Sequence, residues 1–524
     1  MFCFKKQGSR AGTHPKDGWG VKGHGFRKIF LVYILFFFLA PIVYAQDGRL
    51  FLTDEDQFNY ASFLLKQEHY SAAAREFGRV IEEFPSSRYI PDSQYMTAES
   101  YLKEGRYRDA VREFTQFTVN FPDNKFAADA VVKKEMLDVK IKESLGFPAP
   151  LKGINHETKD FKIKAAQILL FKEDSYEDVE KEIVRLKEGG INTIIVRVFH
   201  NRGDRFHPFV TPRVRAGVYF NTKHAPVVED MLGNIIKMAH RHNLKIFAWM
   251  TTRYADYGIE DKTDLRCKAY DLAKNMVVQC KGLDLFNDEA VSHLEKIYKD
   301  LARYDIDGIL FQDDLYLRHT EGFGQYANAL YLMGTGNTLK PSLFYSGIYR
   351  NNSSYIVRHY TPAFWEWASW KNKRLLTVAK RLMKTVRDVN PKVVFTINLM
   401  YESVSNPAYA LAWLSQSLDD AVGTGFDYYA IMAYHLQMQD ELKKGQYYVE
   451  RLIERMTKEA VERVGSPSRV IMKVQTVDWS TRKPLPDREV SELLKKISFV
   501  DNVSLAVVPY RIDFPFEIMN QFKD

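Results

Sequence analysis

With 524 residues, 46% of them hydrophobic, the chain has apolar material for more than one domain or for one large barrel. Its net charge of +8 is local, because residues 1–28 hold seven Lys or Arg against the single acid Asp17. The near-neutral remainder excludes a protein that holds nucleic acid by charge.

The basic stretch ends at Arg27-Lys28, and an uncharged apolar run follows from Ile29 to Tyr44, with Ala45 before Gln46. This is the layout of a secretory signal. The run is short for a membrane span of about 20 residues. Residues 1–45 are therefore expected to be a cleaved signal, with an uncleaved anchor as the alternative. Either one sends the rest of the chain to the periplasm or cell envelope. Once Cys3 has left with such a signal, Cys267 and Cys280 remain, which permits one disulfide in an oxidising compartment. No CxxC pattern occurs, and neither a metal nor another cofactor is expected.

Residues 46–142 repeat. Tyr70–Phe77 matches Tyr107–Phe114 at an offset of 37, and the register extends to Ala61 with Ala98, Leu65 with Leu102, and Phe84-Pro85 with Phe121-Pro122. Each unit reads as two amphipathic helices turning near His69 or Gly105 and stopped by the closing proline. The pattern resembles tetratricopeptide repeats, most of all those of envelope assembly proteins, with a third helix expected from Ala127 to Ile141. Such a stack either docks a partner, expected to be an envelope secretion or export protein, or serves as a packing spacer. A turn-rich linker is expected over 143–160.

From residue 161 to 524 strands alternate with helices. The apolar strand runs are Ala165–Phe171, Thr193–Phe199, Leu244–Trp249, Gly308–Phe311, Val393–Leu399, Tyr428–Ala433, Val470–Val474 and Val503–Val508. Between them apolar residues recur at helical spacing, as in Val179, Ile183 and Leu186. Strands that are apolar throughout belong to a parallel sheet covered on both faces. Eight such units predict an α/β fold, a (β/α)8 TIM barrel preceded by a small all-α repeat domain. Chemistry in these barrels sits at the C-terminal ends of the strands.

Those ends are rich in acids, aromatic residues and amides. In strand order they give Arg197 and His200; Trp249; Asp313 and Asp314; Asn398, Tyr401 and Glu402; Tyr434 and His435; Gln475, Asp478 and Trp479; and Tyr510. No phosphate loop or spaced metal pattern accompanies them. Carboxylates beside aromatic platforms suit a sugar, since one carboxyl can supply a proton while the rings stack on the pyranose.

Six segments also carry a family resemblance. They are Ala248–Met250 (AWM), Asp307–Leu317 (DGILFQDDLYL), Ile397–Glu402 (INLMYE), Trp413–Gln416 (WLSQ), Phe426–Tyr434 (FDYYAIMAY) and Lys473–Trp479 (KVQTVDW). In this order they resemble the C-terminal glycoside-hydrolase domain of the PgaB-type poly-β-1,6-N-acetylglucosamine N-deacetylases, over about residues 160–515. The resemblance implies a barrel that binds and cleaves a partly de-N-acetylated poly-N-acetylglucosamine matrix polymer, with Asp313 and Asp314 as the acidic pair on the sugar. Two positions depart from that pattern. Gln312 stands where the family has His, and His319 stands where it has a further Asp; Glu321, two residues on, is the substitute acid if the loop shifts. The family's metal-dependent deacetylase domain has no counterpart in the sequence, and the repeats stand in its place.

Two adjacent carboxyls raise each other's pKa. Asp314 is therefore the expected acid, with Asp313 orienting the substrate. An alternative mechanism uses the substrate's own acetamido group as nucleophile. His200 and His435 also read as structural histidines, and Trp365, Trp367 and Trp370 as an apolar lid helix, with lining of the groove as the alternative. The sequence thus predicts an exported glycosidase of an amino-sugar polysaccharide. The alternative is a non-catalytic polysaccharide-binding scaffold docked through its repeats.

Overall fold

The computed structural model describes residues 53–144, 161–351 and 354–522. The signal or anchor expected over 1–45 and most of the linker expected over 143–160 lie outside the described residues.

Five helices open the described chain: α1 (Asp54–Lys66), α2 (Tyr70–Glu83), α3 (Ile90–Glu104), α4 (Tyr107–Asn120) and α5 (Ala127–Ser144). Thr53 starts α1 with a reciprocal cap, its hydroxyl accepting from the Asp56 amide at 3.2 Å. The sequence repeat is a structural repeat. α2 and α4 both run 14 residues, and they stop at Phe84 and Phe121 in nearly the same backbone geometry, just before the matched prolines. Tyr95 and Ala98 of α3 with Ala110, Phe114 and Phe117 of α4 form the buried seam of the second helix pair, which Ala130 and Leu137 of α5 extend.

Eight parallel strands then close a barrel: β1 (Lys164–Ile168), β2 (Thr193–Arg197), β3 (Lys245–Met250), β4 (Gly308–Phe311), β5 (Val394–Met400), β6 (Tyr428–Met432), β7 (Val470–Gln475) and β8 (Ser504–Val508). β1 pairs with both β2 and β8, so the sheet has no edge. Nearly every strand residue is buried, which is why the strands read as unbroken apolar runs. Gly308 is fixed by the tight interior, where a β-carbon would stand 2.7 Å from the Phe247 ring. β1 and β2 leave the ladder at Ile168 and Arg197, earlier than the apolar pattern implied, because Phe171 belongs to the packed loop above β1 and Phe199 to a short antiparallel pair with Val218.

The barrel is surrounded by α6 (Tyr176–Glu188), α7 (Leu232–Arg241) and α8 (Asp288–Leu301) after β1, β2 and β3. α9 (Gln325–Thr335) and α10 (Pro362–Arg387) follow β4. Next come α11 (Glu402–Ser405), α12 (Pro407–Leu414) and α13 (Leu418–Val422) after β5, α14 (His435–Leu442) and α15 (Gln446–Val464) after β6, and α16 (Asp487–Ile497) after β7.

The repeats are seated on the barrel by a polar and aromatic contact. Tyr60 of α1 packs on Trp365 of α10 with ring centres 5.2 Å apart. The Asp56 carboxylate accepts the Tyr360 amide at 3.0 Å. Arg79 of α2 donates to the Val404 carbonyl at 3.1 Å and pairs with Glu459 at 3.2 Å. Arg75 and Arg463 grip Asp419 from the two sides, at 2.9 and 2.8 Å. Trp365 and Trp367 are wholly buried, so α10 is a packing helix that carries the repeats and does not act as a lid.

Candidate active site

The centre of the barrel mouth is built from β4, β5 and β7. Asp313 follows β4 directly and remains partly open to solvent. Lys473, on β7, is buried, and its ammonium donates to Asn398 Oδ1 of β5 at 2.8 Å. The Asn398 amide group in turn donates to the Phe311 carbonyl at 3.1 Å, which fixes its orientation. Burial raises the Asp313 carboxyl to about 6, while the Lys473 charge pulls it down and Asp314 pushes it up. Burial likewise lowers Lys473 to about 7, opposed by Asp313. The pair is poised to hold or release a proton near neutrality. Tyr434 and Trp479 line the same mouth, their rings 5.5 Å apart and crossed at 64°, packed with Met432 and Val508. Trp479 stays partly exposed and offers a face to a sugar ring.

Asp314 is placed differently from its neighbour. Its carboxylate is buried and accepts from the Thr251 hydroxyl at 2.5 Å, the Thr252 hydroxyl at 2.7 Å, and the amides of Thr252 and Tyr254 at 3.0 Å. Burial raises its pKa and these donors oppose that rise. With both oxygens spent, Asp314 braces the loop after β3, which leaves Asp313 as the carboxyl of the pair that faces the mouth. Glu321 is also corrected. It pairs with the wholly buried Arg253 at 2.8 Å and accepts the Arg318 amide at 2.9 Å. Although burial alone would raise its carboxyl, the Arg253 charge holds it below its ordinary value, which unfits it as an acid. His319 stacks on Trp413 at 4.3 Å, and its Nδ1 meets the Tyr360 hydroxyl at 3.1 Å. Burial lowers its pKa to about 3, so it is a neutral packing residue.

Several expected sugar contacts turn inward. Trp249 is buried against Phe199, so it is a core residue and not a platform. Arg197 is consumed by a buried pair with Asp204 at 3.0 Å. His200 stacks on Phe206 at 4.1 Å and meets the Tyr219 hydroxyl at 2.8 Å, and burial keeps it neutral. His435 points to Glu489 of α16 at 2.9 Å. Gln475 accepts the amides of Leu436 and Gln437, capping the start of α14. Asp478 folds its own turn onto Ser480 and Thr481; those bonds hold it down to about 2 despite the opposing effect of burial. Tyr510 is buried and donates to Glu173 at 3.2 Å.

Tyr401 and Glu402 stand together on the rim beside Glu441 of α14. Burial and the charge of Glu441 raise the Glu402 carboxyl, and burial also raises that of Glu441. The mouth therefore gathers Asp313, Asn398, Tyr434, Trp479, Tyr401 and Glu402. It also includes two residues that the sequence reading passed over. Lys473 had a signal, a lone charge inside an apolar strand. Glu441 had none, because it lies in the last turn of α14 among other polar residues. Cys267 and Cys280 form a disulfide across the hairpin that runs from Arg266 to Leu283, between β3 and α8.

An eight-stranded barrel with a proton-poised carboxyl and an aromatic platform at its C-terminal mouth defines a glycosidase-type scaffold. A family model described as "Hypothetical glycosyl hydrolase family 13" matches residues 173–506. The chain belongs to that family. A second model, "Outer membrane lipoprotein", matches the repeats over residues 52–137. Among solved structures, the glycoside hydrolase domain of PgaB (BpsB) from Bordetella bronchiseptica is similar at 20% identity and a TM-score of 0.52, covering 67% of this chain and 94% of that one. The catalytic domain of a β-amylase from Paenibacillus polymyxa is similar at 11% identity and a TM-score of 0.46, covering 70% and 99%. No curated protein matches the chain.

Proposed function

We propose that the barrel hydrolyses the glycosidic bonds of an amino-sugar polysaccharide of the poly-β-1,6-N-acetylglucosamine type, with Asp313 as the proton donor. The observation that carries this reading is the partly open Asp313 carboxyl, raised to about 6 and faced by the Asn398-bound Lys473. A general acid works best when its pKa lies near the operating pH. Asp313 gives its proton to the leaving glycosidic oxygen as the C1–O bond breaks, and water completes the anomeric carbon. Trp479 and Tyr434 hold the sugar ring. The resemblance to the PgaB-type family and the similarity to the PgaB glycoside hydrolase domain support the choice of polymer. The basic and apolar N-terminal stretch and the Cys267–Cys280 disulfide support an exported protein of the periplasm or cell envelope.

The test is release of reducing ends from partly de-N-acetylated poly-β-1,6-N-acetylglucosamine. Wild type shortens the polymer and Asp313→Asn does not, while both bind it. Binding by wild type without any shortening overturns the hydrolytic reading in favour of a polysaccharide-guiding scaffold.

A second role for the repeats rests on a separate observation. Val119 of α4 and Val131, Val132 and Met136 of α5 are exposed at the end of the stack away from α1. This apolar end is the proposed seat of an envelope secretion or export protein. A pull-down that survives Val132→Asp with Met136→Glu refutes that assignment.

A further inference from the structure

Between the repeats and the barrel lies a cleft of about 1480 Å³. One wall is α2 with the turns at each of its ends, and the other is α15 with the ends of α11 and α14. It lies outside the Asp313 mouth, and two helices that start at the mouth after β5 and β6, α11 and α14, each end in its wall. Glu402 stands on the rim at the first position of α11, and Ser405, one helical turn on, lines the cleft. Glu441 stands on the rim in α14, and the next residue, Leu442, lines the cleft.

We infer that this cleft is an extended binding site for the polysaccharide strand that passes through the barrel mouth, with the repeats supplying one of its walls. The inference rests on the reading of the mouth as a glycan site. Three features point to a glycan as the occupant. The floor is flat and open at its middle: a β-carbon on Gly78 of α2 meets nothing within 4 Å, although glycine inside a helix costs about 1 kcal/mol relative to alanine. The lining carries eight carboxylates and six Lys or Arg, and those not spent on seating the repeats satisfy sugar hydroxyls in both directions. Tyr448, half exposed on α15, adds a ring face. A 14-residue helix such as α2 is about 21 Å long, so the trough spans several sugar units.

Length-resolved binding tests the inference on the full chain. Wild type binds long partly de-N-acetylated poly-β-1,6-N-acetylglucosamine fragments at least tenfold tighter than trimers, which fill the mouth alone. Gly78→Trp fills the trough and Tyr448→Ala removes its ring. Each brings long fragments to within about threefold of the trimer Kd, with trimer binding and Tm unchanged. Equal affinity of wild type for both lengths, or long-fragment binding that survives both substitutions, overturns the inference and leaves the cleft to a peptide or a second copy of the chain. Failure of every fragment to bind wild type, short or long, overturns the reading of the mouth itself and this inference with it.

Discussion

Asp313 and Asp314 are adjacent in sequence, and the structure makes opposite predictions for them. Asp314→Ala removes the acceptor for two hydroxyls and for the buried amides of Thr252 and Tyr254. An unsatisfied buried donor costs about 1–3 kcal/mol, so the two amides alone account for about 2–6 kcal/mol. At roughly 2–4 °C per kcal/mol, the expected fall in Tm is on the order of 10 °C. Asp313 starts from the other side. Its rise from 3.8 to about 6 means that ionising it in the folded state costs up to about 3 kcal/mol at pH 7. Asp313→Asn relieves that cost while depriving Lys473 of a partner that is able to deprotonate. Its Tm is therefore expected within about 2 °C of wild type. Differential scanning calorimetry together with a reducing-end assay separates the two variants. Asp313→Asn keeps the fold and loses at least a hundredfold in kcat, in line with loss of a general acid. Asp314→Ala loses the fold first. If Asp313→Asn melts as early as Asp314→Ala, or keeps more than a tenth of wild-type kcat, the division of labour is wrong.

Four further outcomes follow from the structure. The acid must carry its proton, so kcat/KM is expected to fall about tenfold per pH unit above about 6. Lys473 lowers the Asp313 pKa, so Lys473→Met moves this alkaline limb to higher pH; a limb that stays or moves down refutes the pairing. Glu321→Gln strands the buried Arg253 charge and is expected to cost about 3–5 kcal/mol in chemical denaturation, with the pH profile unmoved. Reducing the Cys267–Cys280 bridge, whose cysteines are 13 residues apart, is expected to cost up to about 3 kcal/mol, read as a lower Tm with reductant than without it.

The architecture was legible because two periodicities are clean. The 37-residue offset fixes α2 against α4, and the eight apolar runs fix the barrel, since strands buried on both faces carry no alternating polar residues. The site was legible only as a location. Strand ends mark the mouth, but they do not say which side chains face it. Trp249 and Gln475 lie at the ends of β3 and β7 and still turn to packing or capping. The same rule that selects Asp313 also selects Asp314, and only the Thr251–Tyr254 loop tells them apart. That loop comes from another strand, some 60 residues earlier, so no local pattern announces it. Lys473 is the converse case: a lone charge in an apolar strand implies a buried partner, but the partner residues, Asn398 and Asp313, come from two other strands.

The seat of α2 on the barrel has a consequence for how this architecture can vary. Arg75 and Arg79 lock the first repeat to the loops after β5 and to α15, whereas α5 ends the stack with an uncovered apolar face. Growth by whole repeats is therefore open at one end and closed at the other. An added 37-residue unit after α5 would lengthen the arm without touching the catalytic mouth, while an inserted unit before α2 would unseat it. The repeat stack is in this sense an adjustable spacer, fixed on the barrel through its first unit.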